Sequence, residues 1–284
     1  MESTFKIYTP DDIIGDNALE VGRRIIAYTP VLYAEIKKNM LRPVSSAMLF
    51  VYNGHYFLVT AAHTMRLFQQ LRLGVVFDQT FLTVGGQSAV TGKGNVDQDK
   101  FDIGFYLLDE EFVARVNGRF SFYDLASFSI DHEDAEQEQY LIAGHPSSRI
   151  SFNADKKKIQ MYPFIFLTNL NTNKSLFDQY GFKRKSHQIL AYRPRRIHNY
   201  LTKTATQGPK PNGLSGCGIW RTTNLIDHNI NNISYYPTAL VIEHIREHSA
   251  IVATRINIII EFIRYYFPSI GLPESKSIKV NWII

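Results

Sequence analysis

The chain of 284 residues contains one cysteine, Cys217, so no disulfide can form within it and a cysteine-rich zinc module is excluded. Cysteine used this sparingly fits a reducing, cytoplasmic setting. No apolar run approaches the length of a membrane span. The longest, such as Ile256–Ile260, stop after a few residues. The opening MESTFKIYTPDD lacks a basic segment followed by an apolar one, so no signal peptide is expected. There is no internal repeat and no low-complexity tract. Acidic residues are missing altogether between Asp178 and Asp227.

With 45% apolar and 20% charged residues, the sequence has the profile of a globular protein able to build a sizeable core. The net charge is only +5, yet the acid-free stretch holds nine Lys and Arg, among them Lys183, Arg184, Lys185, Arg193, Arg195 and Arg196. The rest of the chain is mildly acidic. A solvated basic face is the plain reading. The interleaving of Phe182, Tyr192 and Tyr200 keeps a nucleic-acid surface open, although no nucleic-acid fold signature accompanies them.

Short strands dominate the pattern. Ala47–Tyr52 and His55–Thr60, rich in aromatic and β-branched residues, flank Asn53-Gly54, which supplies the positive φ of a two-residue hairpin. Similar runs lie at residues 73–77, 81–84, 103–108, 139–143, 159–168, 189–192, 218–220, 238–244 and 251–254. Helix is expected at 17–27, 64–71 and 254–267. In the last, Ile256, Ile259, Ile260, Ile263 and Phe267 recur at helical spacing before Pro268. An all-β sandwich or barrel with a terminal helix follows.

Three segments carry chemistry. Phe57–Thr64 is an apolar strand ending in Ala-Ala-His63. Asp102 opens the apolar strand Ile103–Leu108. Asn212–Trp220 places Ser215 among glycines just before a strand. A serine hydroxyl needs a nearby base to be a nucleophile, and histidine titrates near neutrality. A carboxylate fixes the imidazole tautomer, and glycines permit a turn whose N–H groups face a developing oxyanion. Each segment is common by itself; the three together, on a β background, are specific.

Thr60–His63 (T-A-A-H), Asp102–Phe105 (D-I-G-F) and Gly213–Cys217 (G-L-S-G-C) resemble the three motifs of the trypsin/chymotrypsin-fold serine proteases, in particular the disulfide-free, bacterial-type members. The resemblance implies a chymotrypsin-like double six-stranded β-barrel over residues 45–267, an N-terminal extension over 1–44 and a C-terminal tail over 268–284. It implies peptide-bond hydrolysis through an acyl-enzyme. His63 would be the base, Asp102 its orienting partner, Ser215 the nucleophile, and the N–H groups of Gly213 and Ser215 the oxyanion hole. Ile242, Glu243 and His244 would lie beside a bound peptide, and Pro209 would hold the primary specificity position. No cofactor and no metal are needed; the partner is a protein or peptide substrate, with no membrane involved.

The sequence departs from the family at three places. Leu214 stands where secreted trypsins have the aspartate that pairs with a new N-terminus, so that activation route is excluded and control by an activating protein partner is expected. Cys217 and Gly218 replace the usual glycine and proline, and Cys217 reads as a small packing residue. Pro209 is not acidic, so a preference for Lys or Arg has no support. A catalytically silent member of the fold, binding a polyanion or a protein, is the alternative. His244-Ile-Arg-Glu247-His248 matches an inverted zinc-protease motif, but its β-like flanks make it a hairpin tip rather than the helix zinc binding would need.

Overall fold

The computed structural model describes residues 10–38, 40–67, 69–92, 98–127, 129–134, 138–153, 158–195, 197–199, 204–280 and 282. Helix α1 (Pro10–Ile26) opens with proline and two aspartates, which suit the unpaired N–H groups of a first turn. It precedes eight strands: β1 (Val31–Lys37), β2 (Met40–Ser46), β3 (Met48–Tyr52), β4 (His55–Ala61), β5 (Arg72–Phe77), β6 (Thr80–Thr83), β7 (Gly86–Val90) and β8 (Ile103–Leu108). Short helices α2 (Ala62–Leu67) and α3 (Glu110–Val116) follow β4 and β8.

These strands form sheets ordered β2-β1-β5-β6 and β7-β8-β4-β3, to which the short parallel strand β9 (Tyr123–Asp124) adds at β3. Because β2 runs almost directly into β3 and β6 into β7, the two sheets are halves of one closed barrel of six bent strands. Strands β1 and most of β2 precede residue 45, so the barrel begins at Val31. The expected hairpin between β3 and β4 is present. Asn53 and Gly54 have φ of 47° and 75°, and Phe50 stacks on Phe57 with ring centroids 5.0 Å apart.

The second barrel repeats the plan. Beyond β10 (Gln139–Gly144) come the hairpin β11 (Ile150–Asn153) with β12 (Lys158–Met161), then β13 (Phe164–Thr168), α4 (Ser175–Gln179) and β14 (His187–Ala191). A second hairpin, β15 (Ile197–Asn199) with β16 (Thr204–Thr206), leads to β17 (Gly218–Thr223), β18 (Ser234–Ile245), β19 (Ala250–Arg255) and α5 (Ile256–Tyr266). The sheet order β13-β10-β17-β18-β19-β14 is closed by the bridge between Leu170 and Leu190. The chain therefore has the chymotrypsin-like double six-stranded barrel and the C-terminal helix.

Alternation along each strand gives every barrel two packed faces. Leu49 and Leu58 fill the first barrel with Leu32, Val75 and Leu82, while their neighbours Met48, Phe50, Phe57 and Val59 face outward. That outer face meets Leu141, Trp220 and Leu240 of the second barrel, and α1 and α5 cover the seam. Ile256, Ile259, Ile260 and Ile263 are all fully buried there. At roughly 1.5–3 kcal/mol for each such side chain, α5 is a principal clamp between the barrels.

Candidate active site

His63 sits in the first turn of α2, where β4 ends against the opposite barrel. Its Nδ1 lies 2.5 Å from Asp102 Oδ2, and its backbone N–H donates to Asp102 Oδ1 at 2.7 Å. An ionised carboxylate only accepts, so Nδ1 carries the proton and the Nε2 lone pair is free to act as a base.

Asp102 holds this place in a left-handed conformation, φ 49°, which for a residue with a Cβ costs on the order of 1 kcal/mol. Several bonds hold it there. Asp102 N–H donates to Asp99 Oδ1 at 3.0 Å, and its carbonyl accepts from Ala62 N–H at 2.9 Å. Arg66, one helical turn after His63, spans both carboxylates: Nη1 donates to Asp99 Oδ2 at 2.8 Å and Nη2 to Asp102 Oδ1 at 3.3 Å. Nη1 also reaches the Thr91 carbonyl at 2.6 Å, and Thr91 Oγ1 donates to Asp99 Oδ2 at 2.8 Å. The sequence reading missed Arg66 and Asp99. Their signal was positional, since Arg66 follows His63 by three on a helix and so shares its face.

Ser215 lies in the tight loop before β17. Six hydrogen bonds shape this loop among the described residues: Ser147 N–H to Asn212 O at 2.8 Å, Leu214 N–H to Pro211 O at 2.9 Å, Cys217 N–H to Leu214 O at 3.0 Å, Gly216 N–H to Val241 O at 2.8 Å, Ser46 N–H to Ser215 O at 3.0 Å, and Ser46 Oγ to Gly213 O at 2.9 Å. The Asn212 carbonyl is committed to Ser147, so the trans peptide turns the Gly213 N–H to the other side. Among the described residues, neither that N–H nor that of Ser215 donates a hydrogen bond. Gly213 and Gly216 have φ of 92° and 84°; a Cβ on Gly216 would lie 2.1 Å from Ser46 O. Only glycine fits there.

His63, Ser215, Gly213, Ile242, Glu243 and His244 all line one cleft of about 670 Å³ between the barrels. Asp102 lies behind His63 and is nearly buried. No described hydrogen bond joins Ser215 Oγ to His63. Pro209 does not line the cleft; its carbonyl accepts from Tyr192 OH at 2.5 Å inside the second barrel, and Pro211 lines the wall instead. Glu243 is exposed at the rim. His244 sets its ring edge-on to Tyr192, and burial pushes its pKa down, which keeps the imidazole neutral.

Other sequence motifs resolve differently. Leu214 is fully buried among second-barrel apolar residues, and Cys217 is buried beside it, its thiol pKa pushed up by desolvation. In the inverted zinc-protease motif, His244 is the penultimate residue of β18 while Glu247 and His248 sit in the following turn; Glu247 accepts from Tyr180 OH at 2.7 Å. Within the basic segment, Phe182 and Tyr192 are core residues with no face for a base to stack on, and Arg221 is paired with Glu138. Arg196, Tyr200 and Lys203 lie outside the described residues.

No family model and no curated protein matches the sequence. Solved structures similar to this chain include that of a protein designated GrC, with 10% identity and a TM-score of 0.48, covering 85% of this chain and 94% of the other. Another is the inactivated protease paralogue S-I1 of the scabies mite, with 8% identity and a TM-score of 0.49, covering 86% and 95%. Among the described residues, no helix is long and apolar enough to cross a membrane.

Proposed function

We propose that the protein is a serine endopeptidase. The observation that carries this reading is the pairing of His63 Nδ1 with Asp102 Oδ2 at 2.5 Å in the cleft that Ser215 lines. Ser215 Oγ attacks the scissile carbonyl while His63 Nε2 takes its proton, and Asp102 stabilises the imidazolium that forms. The N–H groups of Gly213 and Ser215 receive the developing oxyanion. His63 then gives the proton to the departing amine, and a water molecule, deprotonated by the same base, releases the acyl group. The acyl side of the peptide lies along Val241–His244 of β18, adding a strand to the sheet.

With Leu214 in the core, no buried charge is available to switch the loop on, and hydrogen bonds from Ser46 and Ser147 hold it instead. These bonds favour an oxyanion hole formed within the single chain, so an activating partner would act by bringing substrate rather than by shaping the loop.

The test is labelling of the isolated chain with a fluorophosphonate serine probe, beside Ser215→Ala with an unchanged melting curve. Labelling that vanishes in the variant supports the hydrolase. No labelling of the folded wild-type chain favours the silent binding module.

A further inference from the structure

Beside the cleft, and sharing Pro43 with it, lies a second, mostly apolar groove. It has a volume of about 470 Å³; among the described residues its lining is mostly apolar, led by Met40, Leu41, Phe152 and Ile159, with Gln79 and Ser151 as polar members and no charged side chain. Its floor is Tyr33 and Val76, both buried, and Tyr33 OH reaches Met161 Sδ at 3.2 Å. Water thus meets a concave apolar surface built by β1, β2, β5 and the β11–β12 hairpin.

Two observations tie this groove to the cleft. Pro43 lines both, and β2 is their common wall. The strand runs from Met40 and Leu41 in the groove, past Arg42, Pro43 and Val44 in the cleft, to Ser46, whose N–H holds the Ser215 carbonyl. Exposed large apolar side chains also concentrate here. Among the described residues there are seven, of which Met40 and Phe152 line the groove, Met161 is reached from its floor by Tyr33 OH, Leu67 lines the cleft, and Tyr162 follows β12. Exposed apolar surface gathered in one concave place marks a binding site more often than scattered exposure does.

We infer that this groove binds the leaving-group side of a peptide substrate and selects large aliphatic or aromatic side chains at the second to fourth residues after the scissile bond. The inference rests on the hydrolase reading. A peptide whose acyl side lies along β18 crosses Ser215 and leaves over β2. At about 3.3 Å per extended residue, the three steps from Ser46 to Pro43 correspond to about 10 Å, so the third residue past the bond arrives at Pro43 and its neighbours flank the groove. Burying such a side chain there removes apolar surface from water on both partners, whereas a carboxylate would lose its hydration among mostly apolar walls, with only Gln79 and Ser151 as polar members of the described lining.

Two readouts on the full chain test this. In the first, a proteome-derived peptide library is digested and both sides of each cut are read by mass spectrometry. Leu, Ile, Met and Phe should exceed Asp and Glu about ten-fold at the second to fourth positions after the cut. The exposed positions Met40 and Phe152 tolerate charge, so Met40→Asp with Phe152→Asp should erase that preference. Cuts without the preference, or a preference surviving both substitutions, overturn the inference.

The second readout needs no turnover. Ser215→Ala is irradiated with the peptide Ala-Ala-Ala-Ala-Leu-Bpa-Leu, where Bpa is the photoreactive p-benzoylphenylalanine, and adducts are mapped. Adducts on Met40, Leu41 or Phe152 support the groove, and adducts elsewhere or none overturn it even where a fluorophosphonate labels Ser215. Adducts in the groove of a chain that no fluorophosphonate labels retain the apolar site and remove the hydrolase.

Discussion

The Ser46 hydroxyl donates to the Gly213 carbonyl at 2.9 Å, joining a first-barrel strand to the loop that presents Ser215. The same hydroxyl accepts from His145 N–H at 3.2 Å, and the Ser46 carbonyl accepts from Thr60 Oγ1 at 2.9 Å. Ser46→Ala keeps the backbone bond to Ser215 and removes only the hydroxyl. A net contribution of about 1 kcal/mol predicts a roughly five-fold slower fluorophosphonate reaction with a small fall in melting temperature. An unchanged rate would show that the loop holds its shape without this bond.

Arg66 neutralises Asp99, whose side chain is 2% exposed, and also contacts Asp102. Arg66→Met leaves a buried charge unpaired and should destabilise the fold by about 3 kcal/mol, with slower labelling of Ser215. Adding Asp99→Asn removes that charge and should recover part of the stability. A double variant as unstable as the sum of the single ones, read by denaturant titration, would mean that the pair is not coupled.

Buried histidines predict acid sensitivity. Desolvation pushes the pKa of His132, His145 and His187 from 6.5 down to about 4. The unfolded chain therefore binds protons that the folded one refuses. Stability is full above pH 6.5 and falls as pH drops toward 4, by about 1.4 kcal/mol per pH unit for each fully affected histidine. Urea midpoints should be flat from pH 8 to 7 and fall steeply from 6 to 4.5. A flat profile there would contradict neutral burial.

Two glycines with left-handed backbones should respond differently to alanine. At Gly54, φ 75°, a Cβ meets nothing within 4 Å, so Gly54→Ala carries only the backbone cost of about 1 kcal/mol. At Gly216 the Cβ would strike Ser46 O and Thr60 Oγ1, so Gly216→Ala should cost several-fold more and abolish labelling. Equal melting temperatures for the two variants would refute the close approach of the barrels at that point.

Local chemistry determined much of this protein from sequence. Asn53-Gly54 dictates its hairpin because both residues tolerate positive φ, and the isoleucine spacing of α5 dictates a buried helical face. The motifs around His63, Asp102 and Ser215 are legible because each needs particular residue types at adjacent positions. Other elements were not legible. Strand β1 carries Glu35 and Lys37, and β2 carries Arg42 and Pro43, which its place at the end of the β2-β1-β5-β6 sheet permits but a local reading discounts. The run at 159–168 reads as one strand, yet Pro163 divides it between a surface hairpin and the barrel. Only the tertiary structure brought Arg66 and Asp99 to Asp102, placed Ser46 behind Gly213, turned Pro209 out of the cleft and joined an apolar groove to it. These relationships depend on barrel closure, which sets side by side residues whose separation along the chain carries no periodic signal.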